Sequence, residues 1–150
     1  MDTDSMVHEL LAIESVRRLT ANYSHGLDKR DGALFASIWT QDAEWESNPG
    51  GPHSCGHVEI MAAVEQVWSA VPETHHWNCN HSIDVDIASG TATGLCDATS
   101  VALFADGRWM RTAITYRDKY TCEGDTWLIS QRLCEVHHQL EIAKPESSAP

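Results

Sequence analysis

Histidines are the residues of this sequence best suited to proton transfer. The 150-residue chain contains nine of them, and three lie between residues 74 and 82. Histidine exchanges a proton near neutral pH and is the most frequent general base in enzymes. If this segment is a strand, one face carries His76, Asn78, Asn80 and Ser82, and the other carries His75, Trp77, Cys79 and His81. The polar face either meets water or lines a wet cavity in which His76 is the candidate base.

A histidine base needs a partner that sets its tautomer, and Asp28 is the candidate. It comes at the end of the first predicted helix, where an acid is most often a solvated, helix-terminating residue. The functional alternative is a carboxylate that accepts the Nδ1 proton of an imidazole. Such a contact leaves Nε2 free as the base and stabilises the imidazolium. The position of Asp28 alone leaves both interpretations open.

Arg132 is the third candidate, because it lies between apolar neighbours in the middle of the last predicted strand. An arginine there more often forms a salt bridge at the edge of a sheet face. If its face is the cavity face, its planar guanidinium could bind a leaving anion or a carbonyl oxygen.

The sequence lacks the motifs typical of metal binding, phosphate binding and nucleophilic catalysis. There is no H-E-x-x-H motif and no Cys/His pair at structural-zinc spacing, and His75-His76 and His137-His138 would each point to opposite faces of a strand. The chain also has no glycine-rich phosphate loop and no G-x-S-x-G motif. We therefore expect no metal and no cofactor, and nucleophilic catalysis is disfavoured.

Composition narrows the choice of compartment and partner. Lys and Arg number 10 against 22 Asp and Glu, a formal net charge of −12, which disfavours nucleic acid and anionic membranes as partners. No apolar run reaches the roughly 20 residues that span a bilayer, and no signal peptide precedes the first helix. The five cysteines are an odd number without a C-x-x-C pair, which is typical of free thiols in a reducing compartment. We expect a cytoplasmic protein with a small-molecule ligand.

The periodicity of apolar residues predicts three helices, a short strand and an antiparallel meander. The predicted helices cover residues 5–27, with Ser5 as N-cap, 33–39 and 56–71, and the short strand covers 43–47. The meander strands cover residues 74–87, 91–105, 108–123 and 126–142, separated by glycine-containing turns. Helices kept to one side of such a sheet make an α+β domain. One domain over residues 1–143 and a polar tail over 144–150 account for the chain.

This order of elements resembles the nuclear transport factor 2-like superfamily, and the segment from Ile13 to Trp45 resembles its SnoaL-like members. Three local motifs are similar to the hexachlorocyclohexane dehydrochlorinase family: Leu27-Asp28-Lys29-Arg30, Ala36-Ser37-Ile38-Trp39 and Asp42-Ala43-Glu44-Trp45. The position of Asp28 also resembles that of an acid in scytalone dehydratases. The resemblance implies a cone in which three N-terminal helices pack in a strongly curved, mainly antiparallel sheet.

The same resemblance implies roles for individual residues. It assigns an Asp–His dyad to Asp28 and His76, and assistance to the leaving group to Arg132. The predicted substrate-binding residues are Tyr23, Trp39, Trp45, Asn78 and Cys96, while Trp77 is either a further wall or faces the helices or an interface. The chain departs from the dehydratases at Leu27, where they have a tyrosine, and from the dehydrochlorinases at Tyr23, where they have a lysine. Neither substrate is therefore implied.

The resulting hypothesis is a cofactor-independent lyase, of dehydratase or dehydrohalogenase type, acting on a small hydrophobic cyclic molecule. One alternative is a non-catalytic ligand-binding or assembly module of the same fold. Another is a ketosteroid-type isomerase with Tyr23 and Asp97 as its oxyanion hole. The resemblance further implies a homo-oligomer, a trimer or a dimer, with apolar surface on the sheet from Trp109, Ile114 or Tyr116, and Leu133.

Overall fold

A computed structural model describes residues 2–146 as three helices and one six-stranded sheet. The helices are α1 (Thr3–Lys29), α2 (Gly32–Ala36) and α3 (Gly56–Ala70). The strands are β1 (Trp39–Ser47), β2 (His53–Cys55), β3 (Glu73–Asp86), β4 (Thr91–Leu103), β5 (Trp109–Glu123) and β6 (Thr126–Ile142). The predicted α+β class is confirmed.

The sheet is curled but not closed, and its strand order is β2-β1-β6-β5-β4-β3. Strands β3 to β6 form the predicted antiparallel meander. Strand β1 joins this meander by pairing parallel with β6, and the short, unpredicted β2 pairs antiparallel with β1. Strand β3 is therefore a sheet edge, and α1 packs against it. No helix among residues 2–146 is both long and apolar enough to cross a membrane.

Helix α1 is longer at both ends than its apolar periodicity predicts. Its N-cap is Asp2, not Ser5, because the Asp2 carboxylate accepts the backbone N–H of Ser5 at 2.9 Å. Its C-terminal end comes at Arg30, whose left-handed backbone (φ 55°) lets its N–H bond to the carbonyls of Gly26 and Leu27. Asp28 consequently lies in the last turn of α1.

Helix α2 is shorter than predicted, and β1 begins earlier. Asp31 caps α2 by accepting the backbone N–H of Leu34 at 2.9 Å, and the helix ends at Ala36. Trp39 then starts β1 and aligns with Ile129 of β6. Of the predicted polar tail, residues 144–146 are exposed and lack regular secondary structure. Residues 147–150 lie outside the described residues.

The core lies between the helices and the concave face of the sheet. An aromatic cluster occupies its centre, with neighbouring ring centroids 5.4–6.2 Å apart: Tyr23, Phe35, Trp39, Trp45 and Tyr116. Phe35 is fully buried, which typically stabilises a fold by about 1.5–3 kcal/mol for each such side chain. This cluster fixes the position of α1 across the sheet, and α1 carries Asp28.

Candidate active site

Asp28 and His76 meet where the last turn of α1 crosses β3. The imidazole Nδ1 lies 2.6 Å from Oδ1 of Asp28, and the backbone N–H of His76 donates to Oδ2 at 2.8 Å. The side chains are only 7% and 6% exposed. Because a carboxylate only accepts hydrogen bonds, this contact places the imidazole proton on Nδ1 and leaves Nε2 as the free base.

Two further side chains tie the end of α1 to the segment that leads into β3. Trp68 Nε1 donates to the carbonyl of Leu27 at 2.8 Å. The Arg30 guanidinium donates to the carbonyls of Val71 and Pro72 at 3.1 and 2.6 Å. These contacts set the distance between the helix that carries Asp28 and the strand that carries His76.

A bulge in β3 changes the faces that strict alternation predicts. Asn80 has a left-handed backbone (φ 51°), and the register with β4 shifts between Cys79 and Ser82. One extra residue in a strand reverses every later side chain. The predicted placement of Asn80 and Ser82 beside His76 is therefore wrong, since both are exposed, and His81 turns inward instead.

Asn78 lies on the inner face of β3, as His76 does, and its side chain contacts α1. Its side-chain amide donates to Ser24 Oγ at 2.8 Å, while its Oδ1 is buried without a hydrogen-bond partner. Asn78 lines a polar crevice between α1 and β3, which it shares with His75, Trp77 and His81. Trp77 is 51% exposed and lines this crevice, not the cavity between the helices and the sheet.

His76 also lines an open cavity of about 190 Å³ between the helices and the sheet. Two of the predicted substrate-binding residues, Tyr23 and Trp45, line this cavity as well. Trp39 and Cys96 do not: Trp39 packs behind Trp45 with ring centroids 6.2 Å apart, and the Cys96 thiol donates to the carbonyl of Cys79 at 3.4 Å. The predicted wall placements of Trp39 and Cys96 are thus not found.

Arg132 is fully buried in an ion pair and does not line the cavity. Its Nε and Nη2 donate to the two carboxylate oxygens of Asp118 at 2.8 and 2.6 Å, and Nη2 also donates to Thr20 Oγ1. The guanidinium carbon lies 4.2 Å from the ring centroid of Tyr23 and 4.3 Å from that of Tyr116. Within residues 2–146, Arg132 Nη1 is buried without a hydrogen-bond partner, and the two rings on which the guanidinium packs line the cavity.

Burial and the ion pair set the protonation of these groups. Burial disfavours the guanidinium, but the adjacent Asp118 carboxylate outweighs it and raises the pKa of Arg132 well above its ordinary value. For Tyr23 and Tyr116, burial disfavours the charged phenolate and so raises the pKa of each phenol. Both phenols are therefore neutral hydrogen-bond donors at physiological pH.

The proposed oxyanion hole of Tyr23 and Asp97 is wrong. Strand β4 turns Cys96 inward and therefore Asp97 outward, where its Oδ1 accepts a hydrogen bond from Thr115 Oγ1 at 2.9 Å.

Alternation along β5 also corrects the prediction that Ile114 or Tyr116 contributes to an apolar outer face of the sheet. Ile114 and Tyr116 face the cavity.

Several polar residues of the site were not identified from the sequence. Ser100, Thr112, Tyr116 and Gln139 line the cavity from β4, β5 and β6. Alternation within each strand could have placed Ser100 inward, but no local signal shows which strand residues lie beside His76. Within residues 2–146, no group of three or more His, Cys, Asp or Glu side chains is arranged to hold a metal ion.

The fold and this site together define a small α+β domain whose curled sheet holds an Asp–His pair in the wall of a mostly apolar cavity. The chain belongs to the SnoaL-like domain family, whose model matches residues 8–133. The family assignment made from the sequence motifs is thereby confirmed.

Similar proteins include enzymes of the dehydrochlorinase and dehydratase type. Hexachlorocyclohexane dehydrochlorinase 1 of Sphingobium indicum is 23% identical over 128 residues, which cover 85% of this chain and 82% of that protein. The crystal structure of hexachlorocyclohexane dehydrochlorinase LinA-type3 from Novosphingobium barchaimii has a TM-score of 0.86 at 21% identity and covers 96% of this chain and 99% of that one. A protein provisionally assigned as a scytalone dehydratase from Novosphingobium aromaticivorans has a TM-score of 0.79 at 20% identity and covers 96% and 94%. At these identities the structural likeness establishes the fold.

Proposed function

We propose that the protein is a cofactor-independent lyase in which His76, oriented by Asp28, removes a proton from carbon in a small cyclic substrate. The observation that carries this proposal is the 2.6 Å contact between His76 Nδ1 and Asp28 Oδ1 beside the cavity. An imidazole held in this way presents its free Nε2 to a ligand and stabilises its own protonated form through the carboxylate. The relationship to dehydrochlorinase and dehydratase enzymes supports elimination as the reaction class.

The chemical step balances without any further reagent. The C–H bond breaks and its proton goes to Nε2 of His76, while the electron pair of that bond forms the new carbon–carbon double bond. The leaving group on the adjacent carbon departs with its own bonding pair, a halide as the anion and a hydroxyl as water after it takes the proton from Nε2. General acid–base catalysis of this kind contributes about 10²- to 10⁴-fold to the rate.

The cavity suits a small, largely apolar substrate. Its volume is about 190 Å³, small beside the roughly 300–1,000 Å³ of sites for drug-sized ligands. Aromatic and aliphatic side chains form much of its wall, including Tyr23, Leu27 and Trp45. A single ring with few substituents fits such a space.

The test is an elimination assay on a panel of substituted cyclohexanols, cyclohexanones and halocyclohexanes. We expect His76→Gln and Asp28→Asn to lower the rate about 10²- to 10⁴-fold without loss of folded structure by circular dichroism. His75→Gln is the matched control, because His75 is the adjacent residue on the opposite, exposed face of β3. Retention of the wild-type rate by His76→Gln would overturn the dyad. Ligand binding without any turnover would favour the non-catalytic module.

A further inference from the structure

A single row of polar side chains crosses four strands on the inner face of the sheet. His76 pairs directly with Ser100, Ser100 pairs with Thr112, and Thr112 pairs with Gln139. All four residues line the cavity, with Gln139 at its exposed end. Directly paired residues have Cβ atoms about 4.5–5.5 Å apart, so a ligand that contacts His76 can contact Ser100 beside it, and a ring that extends along the row can reach Thr112.

The two hydroxyl-bearing residues of this row face the cavity. Ser100 and Thr112 are each only 6% exposed, and both line the cavity wall. The hydroxyls of two nearby threonines on the opposite face are satisfied: Thr99 donates to the carbonyl of Thr112 at 3.0 Å, and Thr115 donates to Asp97. By contrast, Ser100 and Thr112 line the cavity, where a ligand can hydrogen-bond to their hydroxyls.

The row is a polar stripe in a largely apolar surface. On one side its neighbours on β4, β5 and β6 are Ala98, Ile114 and Val136, and on the other side the β4 neighbour is Ala102. A few polar groups in an apolar pocket fix the orientation of the ligand. In this cavity they fix it relative to His76, because His76 is the end of the row.

We propose that Ser100, Thr112 and Gln139 bind an oxygen substituent of the substrate, so that the ring accepted by the cavity carries a hydroxyl or a carbonyl group. A hydroxyl or carbonyl oxygen accepts hydrogen bonds from these side chains, and a hydroxyl can also donate one. A carbon-bound chlorine forms only weak hydrogen bonds and gains little from these side chains. The role of the neighbouring His76 rests on the proposed function, whereas the preference for an oxygenated ring is a property of binding.

The test compares four matched rings by NMR titration of the ¹⁵N-labelled protein: cyclohexanone, cyclohexanol, chlorocyclohexane and methylcyclohexane. We expect the wild-type protein to bind the first two more tightly. Ser100→Ala and Thr112→Val should each weaken binding of the oxygenated rings about tenfold, the equivalent of one hydrogen bond, and leave the other two unchanged. Thr112→Ser keeps a hydroxyl and should retain the preference. Thr93→Val, on the exposed outer face of β4, is the control.

Two results would overturn the inference. One is tighter or equal binding of chlorocyclohexane by the wild-type protein, and the other is an unchanged ring preference in folded Ser100→Ala and Thr112→Val variants. His76→Gln separates this inference from the proposed function, because it should keep the ring preference while abolishing turnover. If the wild-type protein binds oxygenated rings preferentially but turns none of them over, the proposed lyase activity is refuted and the inference that this row binds an oxygen substituent is supported.

Discussion

Replacing Arg132 with methionine should destabilise the protein far more than replacing any surface arginine. Arg132 and Asp118 are both 0% exposed, and two hydrogen bonds of 2.8 and 2.6 Å join them. The substitution keeps much of the side-chain volume but leaves the Asp118 carboxylate buried with Tyr120 as its remaining hydrogen-bond donor, at 2.6 Å. Removing one partner of a buried ion pair costs about 3–5 kcal/mol. That is a large part of the roughly 5–15 kcal/mol by which a domain is stable.

Urea denaturation followed by circular dichroism measures this change in the free energy of unfolding. Arg117→Met is the matched control, because Arg117 precedes Asp118 on β5 and pairs with Glu135 on the outer face, where its side chain is 57% exposed. An exposed pair of this kind contributes about 0–1 kcal/mol.

The double variant Arg132→Met/Asp118→Leu removes both charges and should recover much of the lost stability, since a hydrophobic replacement of a buried pair is often neutral. A cost below about 1 kcal/mol for Arg132→Met, or additive costs in the double variant, would show that the pair is not buried as described. A severe loss of stability would assign to Arg132 a structural role, in place of the contact with a leaving group predicted from the sequence.

Two other expectations concern pH and assembly. Burial lowers the pKa of His81 below 6.5, so the folded state resists protonation that the unfolded chain accepts, and the free energy of unfolding falls as the pH drops through 6.5. His81→Gln should show a shallower fall between about pH 7.5 and 5 in urea denaturation, and an equally steep fall would contradict the assignment. We also propose that the chain forms a homo-oligomer through the outer sheet face, where Trp77 and Leu140 are 51% and 53% exposed. Light scattering should show a dimer or trimer that Trp77→Lys or Leu140→Lys weakens, and a monomeric wild-type protein would refute the proposal.

The elements of the fold could be predicted because their signals are local. A three- and four-residue apolar period specifies α1 and α3, and glycine-containing turns separate the long strands of the meander. Element ends were less well predicted. The start of α1 depends on which side chain caps it, and Asp2 does so instead of Ser5. The three-residue β2 has too little sequence to carry a period.

The candidate site was predicted only in part. Family resemblance paired Asp28 with His76, and no period or spacing in the sequence could have done so for residues 48 positions apart. The sequence also could not show that Arg132 pairs with Asp118, because that contact needs the register of β5 against β6. Asp97 was assigned to the wrong face of β4 for a related reason. The face on which a strand residue lies is known only once the residues of that strand that point into the core are known.

The amino-acid sequence alone determined the order of helices and strands, the acidic surface and the chemical types available for catalysis. The tertiary structure decided which of those groups meet. The bulge at Asn80 reverses the faces of the rest of β3, and strand register brings Ser100, Thr112 and Gln139 into line with His76. Alternation along a strand is a local property of the backbone, whereas register and bulges arise from the packing of strands that are distant in the chain.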